Sequence, residues 1–160
     1  SKGAWEKLAQ VTVKGAEHDF HECLPHPQCL EGTQVDLLNY IYGVLDDKTK
    51  NRLIWLHGIA GVRKSAVAFT VAERMRGLKV TEETNVKKQL TGTFFFSCRH
   101  INRCTTGHLF VMLAYQLASN FPSVKMHVTK AILKNPALLH PNRSLRNQME
   151  ALFFRPLQQL

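Results

Sequence analysis

The sequence predicts an α/β fold, a three-layer arrangement in which helices cover a parallel sheet. Three observations lead there. Short apolar runs at Arg52 to His57 and Thr93 to Ser97 read as strands buried on both faces. Helical periodicity fills the segments around them. A glycine-containing turn, Gly58 to Arg63, joins the first run directly to a helical pattern. A parallel sheet needs more strands than these two, so the expected fold is the N-terminal part of a domain that is incomplete at its C-terminus.

The elements follow in order. Residues 1–31 read as a lead-in, a short helical stretch near Trp5 to Leu8 and then a polar, proline-containing run from Glu17 to Glu31. The domain is expected over 32–160. Thr33 is placed to cap its first helix, with Asp36 in the first turn where the helix dipole favours an acid. Val35, Leu38, Ile41, Tyr42 and Leu45 form one apolar stripe at helical spacing. Asp46 to Asn51 is a charged turn.

After the first strand and the loop, Lys64 to Arg76 carries no proline or interior glycine and reads as a helix. Leu78 to Thr91 is a polar excursion, and Cys98 to Thr106 a polar loop after the second strand. His108 to Ser119 is a further helix, with Leu109, Met112, Leu113, Gln116 and Leu117 on one side. Pro122 stands where the next helix begins, a position that suits its missing N–H. Val124, Val128, Ala131 and Ile132 mark that helix's inner face. Ser144 is placed to cap a last helix through Leu152, Phe153 and Phe154, with Pro156 near its end.

Bulk composition narrows the class. Of 160 residues, 44% are hydrophobic, as in globular rather than disordered chains. No apolar run approaches the roughly 18 residues needed to cross a bilayer. The start at Ser1 has neither Met nor an apolar signal core, which suggests a piece of a longer protein. The four cysteines, with no secretory signal, point to a reduced, cytoplasmic setting.

The net charge of +9 favours anionic partners. Yet the six basic residues between Phe121 and Leu160 lie scattered among apolar positions, as on solvated helix faces, with one acid, Glu150. That pattern argues against a nucleic-acid patch.

Chemistry concentrates in the loop. A phosphate-binding loop reads G-x-x-x-x-G-K-[ST] between a strand and a helix. Here Gly58, Ile59, Ala60, Gly61, Val62, Arg63, Lys64, Ser65 and Ala66 occupy that place. Successive backbone N–H groups at a helix N-terminus suit phosphate, and Lys64 supplies a point charge for it. The Ser65 hydroxyl suits Mg²⁺ held with the nucleotide. Arg63 departs from the pattern, for glycine normally fills that position. A side chain in strained backbone costs about 1–3 kcal/mol. The loop therefore supports binding of ATP or ADP with Mg²⁺ rather than hydrolysis.

Trp55 to Ala66 resembles the W-L-x-G-x-A-G-x-G-K-S-A of fungal NACHT domains, grouped with the nephrocystin-type N-terminal NTPase domain. Three further segments are similar to that family. They are Cys29 to Gln34 (C-x-x-G-T-R), Gly92 to Ser97, and Leu113 to Ala118 (L-A-Y-Q-L-A). The resemblance runs from about Cys29 to the C-terminus. It implies a P-loop NTPase fold and a nucleotide-gated oligomerisation switch of NOD-like-receptor type, associated in fungi with non-self recognition and cell death. It implies self-association or contacts with other domains of a longer protein; the lack of a long apolar run argues against a membrane partner. Gln34 stands where the family has Arg, and Arg63 where it has Gly. The family's acidic metal-binding strand lies beyond residue 160, so no catalytic residue is assigned. An alternative is a pseudo-NTPase that keeps the module as an interaction scaffold.

Two His/Cys clusters and an aromatic run also stand out. His18, His21, Cys23, His26 and Cys29, and again Cys98, His100, Cys104 and His108, have spacings that a zinc site can use. Neither has the paired C-x-x-C of strong zinc motifs, so loop residues with reduced thiols are the expected reading. Phe94, Phe95 and Phe96 suit the core of a strand better than a platform for bases. His57 reads either as a phosphate contact or as a packing residue.

Overall fold

The computed structural model describes residues 2–12, 29–47, 53–77, 90–97 and 103–159. The turn beyond Asp47, the excursion from Leu78 and most of the polar run from Glu17 lie outside them, as do His18, His21, Cys23, His26, Cys98 and His100.

The α/β expectation is corrected. Helix accounts for 68% of the described residues and none of them forms a strand, so the fold is all-helical. The reason is visible at both apolar runs. A strand is completed by a neighbour that satisfies its N–H and C=O groups. The residues from Leu53 to Ile59 take part in no ladder, and Leu53 and Trp55 are 91% and 80% exposed where a buried strand was expected. At Thr93 the neighbour is a side chain: Thr93 N–H donates to Gln116 Oε1 (2.8 Å), and Gln116 Nε2 donates to the Thr93 carbonyl (2.8 Å). One amide takes the place of a strand edge.

The chain divides into two compact units. The larger joins the N-terminal helix α1 (Lys2–Val11) to the chain from Thr91 onward, with α4 (Leu109–Asn120), α5 (Pro122–Lys134), α6 (Leu145–Met149) and α7 (Arg155–Leu157). The smaller holds α2 (Val35–Asp46) and α3 (Lys64–Gly77).

In the larger unit α4 packs on α5, and α1 packs on both. Leu8, Val111, Ala114, Leu117, Val124, Val128, Ile132 and Leu152 form its buried centre. The sequence places Val124, Val128 and Ile132 correctly. On α4 the expected side is buried at Met112 and Leu117, and burial extends past it. Val111, Ala114 and Ala118 face the bundle, while Gln116 reaches Thr93 and Met112 packs against Phe94. The predicted stretch near Trp5 becomes a full helix because its apolar side has a partner. Trp5 stacks on Tyr115 (centroids 5.0 Å apart), and Lys125 Nζ lies 4.0 Å from the Trp5 ring centroid.

Pro122 starts α5 as expected. Ser144 occupies the N-cap position of α6, but its hydroxyl makes no cap bond. Pro156 lies near the end of the last helix as expected, in α7, which closes at Leu157; before it the helix widens into a π-helical stretch, Glu150–Phe154. Proline lacks a donor and crowds the carbonyl four residues back, so a wider turn just before it accommodates both defects. The i→i+5 register also aligns Glu150 with Arg155, whose Nη2 donates to Glu150 Oε1 at 2.8 Å.

Leu152→Ala, at a site with no exposure, should cost about 2–5 kcal/mol in urea unfolding, against under about 0.5 kcal/mol for exposed Leu133→Ala. Gln116→Leu, which removes both amide bonds to the Thr93 backbone, should cost about 1–3 kcal/mol by the same measurement.

Candidate functional site

The smaller unit builds the site from two helices and the turn that opens each. Thr33 does not cap α2 as expected. Its hydroxyl and its N–H both return to the Leu30 carbonyl, at 2.6 and 2.9 Å, and close the Leu30–Thr33 turn. Gln34 takes the N-cap position instead, at a left-handed φ of 58°. Of the predicted α2 stripe, Ile41 is buried, Leu38, Tyr42 and Leu45 are half-buried, and Val35 is exposed.

Two contacts hold the turn and α2 against α3. Thr70 Oγ1 donates to the Ala66 carbonyl (2.8 Å) and accepts the Cys29 N–H (3.1 Å). The Arg74 guanidinium lies 3.8 Å from the Tyr42 ring centroid. Cys29 to Gln34 is thus tied to the helix that carries the loop.

Gly58, Ile59, Ala60, Gly61, Val62 and Arg63 form an exposed turn, and Lys64, Ser65 and Ala66 the first residues of α3. Gly58 (φ 152°) and Gly61 (φ 86°) take conformations that L side chains rarely adopt. So does Arg63, at φ 58°, which gives the missing glycine its structural meaning. A non-glycine residue there costs about 1–2 kcal/mol. Ala66, Val67, Phe69 and Ala72 turn inward and anchor α3, so Ala66 offers the site its backbone only. Ser65 is exposed beside it.

The electrostatics are one-sided. Arg63 and Lys64 stand at the positive end of the α3 dipole, and no acid lies in its first turn. Lys64 Nζ donates to the carbonyls of Gly58 (2.8 Å) and Ile59 (2.7 Å), so the ammonium is folded onto its own loop. This contact cannot be read from a motif, because it depends on how far the turn curls back. The loop leads two cations, Arg63 and Lys64, into a helix N-terminus, a setting that can bind an anion such as phosphate.

Of the other predicted clusters, only Cys29, Cys104 and His108 lie among the described residues. Cys29 is half-buried, Cys104 exposed, and His108 half-buried. Among the described residues no group of three or more His, Cys, Asp or Glu comes together. His57 is exposed. The aromatic run is less buried than a core strand requires: Phe94 and Phe95 are half-buried and Phe96 is exposed. Phe94 and Phe96 meet edge to face at 5.0 Å, as residues two apart in an extended chain can. No helix among the described residues is long and apolar enough to cross a membrane.

Fold and site together define a helical protein with a glycine-containing, basic loop at a helix N-terminus. Comparison with known families places it further. The chain belongs to the family described as nephrocystin 3, N-terminal, whose profile matches residues 40–160, from the middle of α2 through the loop to the end. No curated protein and no solved structure gave a match.

The strain at Arg63 is testable without a ligand. Arg63→Gly should raise stability by up to about 1 kcal/mol, the left-handed penalty less the entropic cost of glycine, read from the urea midpoint. Gln34→Gly should behave alike at the start of α2.

Proposed function

We propose that the loop Gly58–Ser65 binds the phosphates of ATP or ADP with Mg²⁺, as the regulatory nucleotide site of a NACHT-type signalling module. One observation carries this reading. Arg63 and Lys64 stand at the electropositive start of a fourteen-residue helix with no acid in its first turn, so an anion would relieve their repulsion. Family membership and the glycine conformations at Gly58 and Gly61 support it. Backbone N–H groups of the loop and of Lys64, Ser65 and Ala66 would face the phosphates. Lys64 would exchange its two carbonyl contacts for phosphate oxygens, and Ser65 Oγ would face the metal. Mg²⁺, when bound, supplies charge neutralisation between phosphate oxygens.

No residue is assigned to hydrolysis, so the proposed role is a switch. Nucleotide state would control self-association or contacts with other domains, in a cytoplasmic protein of the kind associated with fungal non-self recognition and cell death. The Arg63 side chain at φ 58° favours a second reading, in which the module is an interaction scaffold that has lost nucleotide binding.

Titration with fluorescent ATP and ADP in the presence of Mg²⁺ separates the two. The switch reading expects binding by the parent chain and a loss of about ten- to hundredfold in Lys64→Ala, the value of one charge-assisted hydrogen bond. Binding indifferent to Lys64→Ala sinks it. No binding by the parent, with binding gained in Arg63→Gly, establishes the scaffold.

A further inference from the structure

The larger unit contains an open groove of about 660 Å³ between α5 and the helix formed by α6, the π-helical stretch and α7. We propose that this groove binds an acidic, leucine-rich type of peptide segment from a protein partner. The site is built from residues of the larger unit alone and does not rest on the nucleotide reading.

Its floor is carbon. Ala131, Leu138 and Pro156 line it, the last two buried. Its rim is basic, with Lys130 and Lys134 from α5, Arg143 from the turn before α6, and Arg155, all exposed. The one acid on the groove, Glu150, is held by Arg155 at 2.8 Å. Lys130, Lys134 and Arg143 have no acidic partner among the described residues.

Lys130 and Lys134 are four residues apart on one helix, so their charges face the same way and repel. Sequence scatter disguises this cluster, because residues of three separate segments converge only in the fold. The widened turn at Glu150–Phe154 contributes by bringing Glu150, Ala151 and Arg155 onto the same wall.

The chemistry selects the occupant. An apolar floor takes aliphatic side chains, and the three cations above it, with no acidic partner among the described residues, take carboxylates. The volume lies within the roughly 300–1,000 Å³ usual for built binding clefts. A single-stranded nucleic acid would call for aromatic rings that stack on bases, and no Phe, Tyr or Trp lines the groove. A bilayer surface is flat on this scale, whereas these cations surround a concavity.

The test uses the whole chain and a short fluorescein-labelled peptide rich in Glu and Leu, followed by anisotropy at low salt. The double reversal Lys134→Glu/Arg143→Glu should weaken binding by about tenfold or more, as loss of two ion pairs requires. Added salt should weaken binding by the parent. Arg146→Glu places the same kind of charge outside the groove and should bind as the parent does. Lys134→Gln/Arg143→Gln stands in if circular dichroism shows that the reversal unfolds the chain. The proposal is overturned if the peptide does not bind, if either groove pair leaves binding unchanged, or if Arg146→Glu weakens it equally. Binding of only oligo-dT or phosphatidylserine vesicles overturns it as well.

Discussion

Helix α4 carries useful surface around most of its circumference, and the larger unit is organised by the need to cover it. One side, with Val111, Ala114, Leu117 and Ala118, closes against α1, α5 and the final helix. The other side presents Met112 to Phe94 and Gln116 to the backbone of Thr93. The Gln116 amide is the more demanding contact, since it satisfies a donor and an acceptor of one residue at once. Apolar burial thus assembles the bundle, and a polar side chain fixes where the extended segment lies on it.

The smaller unit works under a different constraint. Its loop stores conformational strain at Arg63 and concentrates positive charge at one helix end. Such features persist only when the surroundings hold them. Here the inward face of α3 and the Thr70 and Tyr42 contacts supply that support. Lys64 neutralises none of the charge; it only directs the ammonium toward two loop carbonyls. The state seen is therefore one in which the loop serves as its own polar partner. A phosphate would compete for that same ammonium.

Local features were legible because they depend on a few neighbouring residues. Pro122 at the start of α5, the inner face formed by Val124, Val128 and Ile132, and the helix after Lys64 all follow from short-range rules. The position of Arg63 was marked by its departure from a glycine pattern, and its φ supplies the cause. Thr33 and Ser144 show the limit of such rules. Each residue type suits a cap, yet one closes a turn instead and the other makes no side-chain bond.

By itself, the sequence determined the helical segments, the loop with its phosphate-suited residues and the oddity at Arg63, since torsional preference and side-chain spacing act locally. Only the tertiary structure decided that the apolar runs form no strands among the described residues, because pairing belongs to two segments rather than one. It also decided that Gln116 serves Thr93, that Lys64 folds onto Gly58 and Ile59, and that Lys130, Lys134 and Arg143 border one groove. Each of those outcomes requires residues distant in sequence or a backbone path in space, and neither is encoded at a single position.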